Sequence, residues 1–205
     1  MKKTIICNIP MKQNVDLSVY SSNDDSIPVS AREVRYPINA LLEKTLQKND
    51  EIKVILLVKE DEQKHYLKNQ NDFIDELNRA NADTGAKIEI VSINTAFSEE
   101  RQVHEELMGK IVDEIEDGCH VIVDITYGPK DLPIIIFSAL GFAEKFLECE
   151  IDGIIYGQAN FVDGHVVDTK ICDMSPLYYL SSVSGSIHSD EPDKARKMLK
   201  SLLSL

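Results

Sequence analysis

Five short apolar runs rich in β-branched residues set the strongest limit on what this chain can fold into. They fall at residues 3–9, 52–58, 86–93, 120–125 and 151–156, and most are near-continuous rather than alternating. A strand with one face in water alternates apolar and polar residues, whereas a strand covered on both faces does not. Between the runs lie stretches with helical periodicity, at residues 37–47, 65–80, 98–116 and 131–148. Strand and helix alternate, which predicts an α/β fold built on a doubly wound, mainly parallel sheet with helices on both faces.

The helical stretches differ in character. In the third, Val103, Leu107, Ile111 and Ile115 recur every four residues while Glu105, Glu106, Glu114 and Glu116 lie off that line, an amphipathic stripe for one side of the sheet. Ser98 followed by Glu99 and Glu100 suits its start. The fourth is apolar almost all the way round between Ile134 and Ala143, which predicts burial on several sides, one of them against a second subunit. After Tyr156, Gly157 and the alternating Val166, Val167, Lys170 and Ile171 predict a C-terminal hairpin turning at Asp163-Gly164. Two further apolar and helical segments follow, at residues 176–183 and 190–205. Residues 10–35 form a long polar connection, which a compact domain uses as a lid or leaves disordered.

Composition narrows the partners. With 205 residues, 43% of them hydrophobic, the chain can bury one sizeable core. Its 35 acidic and 22 basic residues give a net charge of -13, a field that repels phosphate backbones and argues against long nucleic acid as a partner. Cys7, Cys119, Cys149 and Cys172 make no C-x-x-C pair and the five histidines have no ligand spacing, so no metal is expected. With no G-x-G-x-x-G and no Walker sequence, no cofactor is expected either. No window approaches the roughly 18 apolar residues of a membrane segment, and the amino terminus lacks the apolar core of a signal peptide. A cytoplasmic protein with reduced thiols is the expectation.

In an open parallel sheet, ligands bind beyond the carboxyl ends of the strands where the strand order reverses. That point is expected between the first and fourth strands, which places Asn8 beside Asp124-Ile125-Thr126-Tyr127-Gly128-Pro129-Lys130. The second stretch leads into a helix with Pro133 close to its first turn. A helix amino terminus offers unpaired N–H donors, Gly128 permits close backbone approach and Lys130 adds a full positive charge, which together make an anion cradle. The same residues also suit a structural role, with Asp124 and Thr126 capping the helix, Tyr127 packing and Gly128-Pro129 forming the turn. Residue types alone leave the two readings open.

The stretch VIVDITYGPKDLPIIIFSALGFAEKF resembles the strand, loop and helix signature of CARF (CRISPR-associated Rossmann fold) proteins, in which Asp-(Ile/Val)-Thr-x-Gly precedes a basic residue and an apolar helix. The continuation, IDGIIYGQAN and ICDMSPLYYLSSV, is similar to their later strand, Tyr-Gly turn and Asp-(Leu/Met)-(Ser/Thr)-Pro segment. The likeness covers residues 1–188 and is most specific over residues 119–183. It implies a Rossmann-like ligand-sensing domain at 1–188, followed by a helix at 189–205 that serves as a dimer contact or as the start of a connection to an effector. It further implies a homodimer that binds a cyclic oligoadenylate, tetra-adenylate ahead of hexa-adenylate, across its two-fold axis, and so regulates a fused or associated effector in type III CRISPR antiviral defence. Carried over residue by residue, Asn8, Thr126, Tyr127, Gly128, Pro129, Lys130 and Gln158 would contact the ligand. Some such domains cleave the ring with the ribose 2′-hydroxyl and no metal, so a stand-alone ring nuclease is the second expectation. A structural dimerisation module is the reading from another class. Tyr20, Tyr36, Tyr178 and Tyr179 read first as packing residues, Arg32 and Arg35 as partners of nearby acids, and His104 and His120 as structural.

Overall fold

The computed structural model describes residues 1–162 and 165–203. Strands β1 (Lys2–Ile9), β2 (Glu51–Glu60), β3 (Lys87–Ala96), β4 (His120–Asp124), β5 (Glu150–Val162) and β6 (His165–Asp173) alternate with helices α1 (Pro37–Thr45), α2 (His65–Asn81), α3 (Arg101–Glu114) and α4 (Asp131–Phe146) up to β5. They form a single six-stranded sheet in the order β3-β2-β1-β4-β5-β6, parallel throughout except for β6, which runs antiparallel to β5. The strand order reverses between β1 and β4, as the sequence predicts for a Rossmann-like, doubly wound sheet.

Alternation along the buried strands decides which helices they meet. Ile5, Cys7 and Ile9 of β1 share a core with Val54, Leu56 and Val58 of β2, Ile38, Leu41 and Leu42 of α1 and Phe73 and Leu77 of α2. The intervening residues, Ile6 and Asn8 of β1 and Ile55, Leu57 and Lys59 of β2, are equally buried and turn to the opposite face. Helices α3 and α4 pack together there, with Leu107 and Ile111 of α3 and Leu132, Ile136, Ala139 and Leu140 of α4 buried.

Three local expectations are corrected. Helix α3 starts at Arg101, with Glu100 rather than Ser98 at its cap position and no side-chain capping bond. The Tyr156-Gly157 turn does not exist, because β5 runs straight through it and Gly157 pairs with Ile171 of β6. A Cβ at Gly157 would sit well inside contact distance of Pro37 Cγ and 3.2 Å from Thr126 Oγ1, so glycine serves close approach here rather than chain reversal. The segment 10–35 is neither a free lid nor a disordered loop. Ser18 and Val34 bridge its two arms, the Ser21 amide donates to the Thr169 carbonyl and the Ile171 amide donates to that of Ser21, which lays the segment along β6. The predicted turn at Asp163-Gly164 lies outside the described residues.

The chain divides into two compact units, Met1–Asp173 and Met174–Leu205. The second contains α5 (Ser175–Ser186), in which the Tyr178 and Tyr179 rings meet edge-on, and α6 (Pro192–Leu202). Each begins with a proline in its first turn, where the missing N–H costs no helical bond. Among the described residues, no helix is long and apolar enough to cross a membrane.

Candidate functional site

The loop between β4 and α4 is held by its own buried polar residues. Asp124, at the end of β4, is almost wholly enclosed and accepts hydrogen bonds from the amides of Thr126 (2.8 Å) and Ile38 (3.2 Å). It therefore caps the first turn of α1 and not α4, correcting that part of the structural reading. Lys130 occupies the cap position of α4, which has no side-chain cap. Burial pushes the Asp124 carboxyl up to about 6, although its hydrogen bonds with Thr126 and the Ile38 amide pull the other way.

Asn8, fully buried at the end of β1, donates from Nδ2 to the Tyr127 carbonyl at 2.9 Å, while its Oδ1 has no hydrogen-bond partner. Gly128 follows with φ +91°, and a Cβ there would come within 2.7 Å of Leu132 Cδ1 and 3.4 Å of Asn8 Cβ. Both the left-handed backbone and the close approach require glycine. Thr126 Oγ1 accepts the Gly157 amide at 2.7 Å, tying the loop to the middle of β5. The Tyr127 hydroxyl donates to the Arg35 carbonyl at 2.7 Å, and its ring meets Tyr36 edge-on.

These ties leave a cleft of about 160 Å³ lined by Thr126, Tyr127, Tyr156, Gly157, Thr169 and, from the 10–35 segment, Lys12, Asp16, Ser18 and Tyr20. Lys12 Nζ stands 5.7 Å from the centre of the Tyr127 ring, within cation–π range. Burial pushes the Tyr20 phenol up to about 12 and the Tyr127 phenol higher still, so both present neutral hydroxyls near pH 7. A charged groove of about 60 Å³ among Lys3, Glu51, Lys53, Lys87, Glu89 and Glu116 lies at the opposite, amino-terminal edge of the sheet, where parallel sheets do not ordinarily bind ligands.

The residues singled out from sequence therefore occupy different positions. Thr126 and Tyr127 line the cleft. Asn8 lies beneath it and holds the loop, Gly128 is packed on Asn8 and Leu132, and Pro129 is half-buried between them and α4. Lys130 is exposed at the start of α4, outside the cleft lining. Gln158 is exposed on β5 and pairs with Lys170 of β6, also outside the lining. Among the flanking residues, Arg32 pairs with Glu43 and Arg35 with Glu76 and Asp72, as expected of arginines that balance acids. Tyr36 is buried and donates to the Asn69 carbonyl at 2.6 Å, a packing role. Tyr20, named from sequence as a packing residue, lines the cleft; Lys12, Asp16 and Ser18 carry no motif that marks them, and the only sequence signal for them is the unusual length of the connection they belong to.

The fold and the crevice define an α/β protein with a cleft beside the loop that follows β4 at the topological switch point of its sheet. No family model matches the chain. A stretch of 78 residues is 27% identical to the CRISPR-associated protein MJ1674 of Methanocaldococcus jannaschii. That stretch is 37% of this chain but 12% of the relative, so the match spans only a small part of that protein's length.

Proposed function

We propose that this chain is a CARF-type sensor that binds a cyclic oligoadenylate, tetra-adenylate ahead of hexa-adenylate, across a homodimer and thereby regulates an effector of CRISPR antiviral defence. The observation that carries the reading is the Asp124–Lys130 loop itself. It lies at the switch point, its backbone is fixed by Asn8, Asp124 and Gly157, and it opens on a cleft containing Lys12, Tyr20 and Tyr127. Rigid donors, a lysine and aromatic faces are what phosphates and adenines need. The similarity to a CRISPR-associated protein supports the same assignment.

Two features favour a shared ligand. At about 160 Å³ the cleft is smaller than the roughly 300–1,000 Å³ that encloses a whole drug-sized molecule, so a large ring would be divided between two copies. Helix α4 also presents Ile134, 69% exposed, on one line with Phe142 and Phe146 two and three turns further on, a ready surface for a two-fold contact. Lys130 at the start of this helix would then meet the ligand from both subunits.

Calorimetric titration with cyclic tri-, tetra- and hexa-adenylate, followed by analysis of each mixture for linear products, tests the proposal. One ring per two chains is expected, with Lys130→Ala and Lys12→Ala each weakening binding about tenfold or more through the loss of a charge-assisted contact. Accumulating linear fragments would convert the sensor into a ring nuclease. Failure to bind any ring overturns the assignment and leaves a structural dimerisation module.

A further inference from the structure

We propose that Glu99, His104 and Asp131 form a binding site for a borderline divalent cation of the zinc class, separate from the ligand cleft. Asp131 is the first residue of α4, His104 lies in the first turn of α3, and Glu99 shortly precedes that helix. Their ligating atoms all lie within 4.8 Å of one another.

The distances suit two ligands on one ion better than a close charge-assisted hydrogen bond. His104 Nε2 stands 3.4 Å from Asp131 Oδ2 and 3.4 Å from Glu99 Oε2. A protonated histidine pairing with a carboxylate closes to about 2.7–2.9 Å. Two ligands on a tetrahedral zinc ion, each about 2.0–2.1 Å from the metal, stand about 3.3–3.4 Å apart.

The second observation is a set of orphaned atoms. His104 Nε2 and Asp131 Oδ1 are buried and lack any hydrogen-bond partner, Asp131 Oδ2 is engaged by the Lys59 ammonium, and the Asp131 side chain is only 8% exposed. Buried polar atoms are satisfied in the great majority of cases, so two neighbouring orphans call for a common partner. One imidazole nitrogen and two carboxylates are a donor set that zinc accepts, with a further position left to water or substrate on the side of the exposed Glu99.

Lys59, buried at the end of β2, is the neighbour that has to be reconciled with an ion. Its Nζ lies 3.2 Å from Asp131 Oδ2, which leaves Oδ1 unengaged. With His104 neutral, two carboxylates and one ammonium leave a local charge of -1, so a cation is still attracted. Lys59 then orients the carboxylate as an outer partner, as hydrogen-bonding groups behind metal ligands do.

Titration of the reduced 205-residue chain with Zn²⁺ against a chromogenic chelator tests the site. One tightly held Zn²⁺ per chain is expected, not displaced by excess Mg²⁺, with His104→Gln and Asp131→Asn each weakening it by more than about tenfold. His120→Gln, in the trio His120, Glu150 and Asp152, is expected to leave it unchanged. Should Asp131→Asn not fold, His104→Gln at its partly exposed position carries the test. Absence of micromolar Zn²⁺ binding, displacement by Mg²⁺, or binding that survives His104→Gln but not His120→Gln would overturn the proposal.

Discussion

The Gly157 amide donates to Thr126 Oγ1 at 2.7 Å, so the loop after β4 is anchored to the centre of the neighbouring strand rather than to its own helix. The contact exists because neither α1 nor the loop meets a side chain at position 157. Gly157→Ala is therefore expected to push Pro37 and Thr126 apart at a destabilisation of about 1–3 kcal/mol, the usual cost of overpacking. Urea denaturation would measure it. A change near zero would mean that the loop and α1 give way freely, and that the cleft wall is not rigid.

Gly128 poses the complementary case, because backbone and packing both exclude a side chain there. With φ at +91° and Leu132 Cδ1 only 2.7 Å from the point a β-carbon would occupy, Gly128→Ala is expected to cost about 2 kcal/mol or more. Gly118, also at positive φ but with nothing within 4 Å, supplies the control, for which backbone strain alone predicts a cost of about 1 kcal/mol. Paired thermal melts of the two variants separate the packing contribution from the conformational one.

What was legible in the sequence follows from the range of the interaction involved. Buried strands and amphipathic helices are set by neighbours two to four residues apart, and β1 to β4 and α1 to α4 emerge close to their predicted places, while β5 starts where expected and runs on to Val162. The loop of residues 124–130 was also visible, through its glycine, proline and lysine. Contacts between distant segments were not. Asp124 suggests a cap for the helix that follows it, yet it binds the amide of Ile38, which is 86 residues away. Gly157 suggests a turn because glycine often makes one, yet it is needed where Pro37 crosses β5. Lys12 and Tyr20 reach the cleft because Ser21 bridges to Lys170, a pairing between segments far apart in the chain with no local pattern. The orphaned atoms of His104 and Asp131 likewise belong to two helices with no shared motif.

Glu76 is the anchor that fixes the end of the 10–35 segment to α2. Its buried carboxylate accepts from the Arg35 amide at 2.9 Å, from Arg35 Nη1 at 3.2 Å and from the Tyr36 amide at 3.3 Å. Glu76→Gln keeps the shape but loses the charge and turns N–H donors towards N–H donors, leaving Asp72 as the remaining carboxylate beside Arg35. A loss of about 1–3 kcal/mol is expected, the cost of leaving buried donors without their acceptor. Because Tyr127 donates to the Arg35 carbonyl, ligand affinity should fall with stability in this variant. Denaturation and calorimetry on the same sample would show whether the two effects travel together.

Asp124 makes the stability of this protein depend on pH in the direction opposite to that of a salt-bridged carboxylate. Its pKa is about 6 in the folded chain against an ordinary 3.8, because burial outweighs its hydrogen bonds. Between those values the folded state holds a proton that the unfolded state has released. The stabilisation is thus fully present below about pH 4 and is lost as pH rises through 6. Other carboxylates titrate in the same range, so the informative quantity is the stability of the wild type minus that of Asp124→Asn. The variant is expected to be the less stable at every pH, since an amide can accept only one of the two N–H groups of Thr126 and Ile38 and turns a donor at the other. Between about pH 4.5 and 6.5 the wild-type advantage should shrink by roughly 2 kcal/mol as the buried carboxyl ionises. An advantage that grows over that interval would mean that the hydrogen bonds dominate burial and that Asp124 is held as a carboxylate.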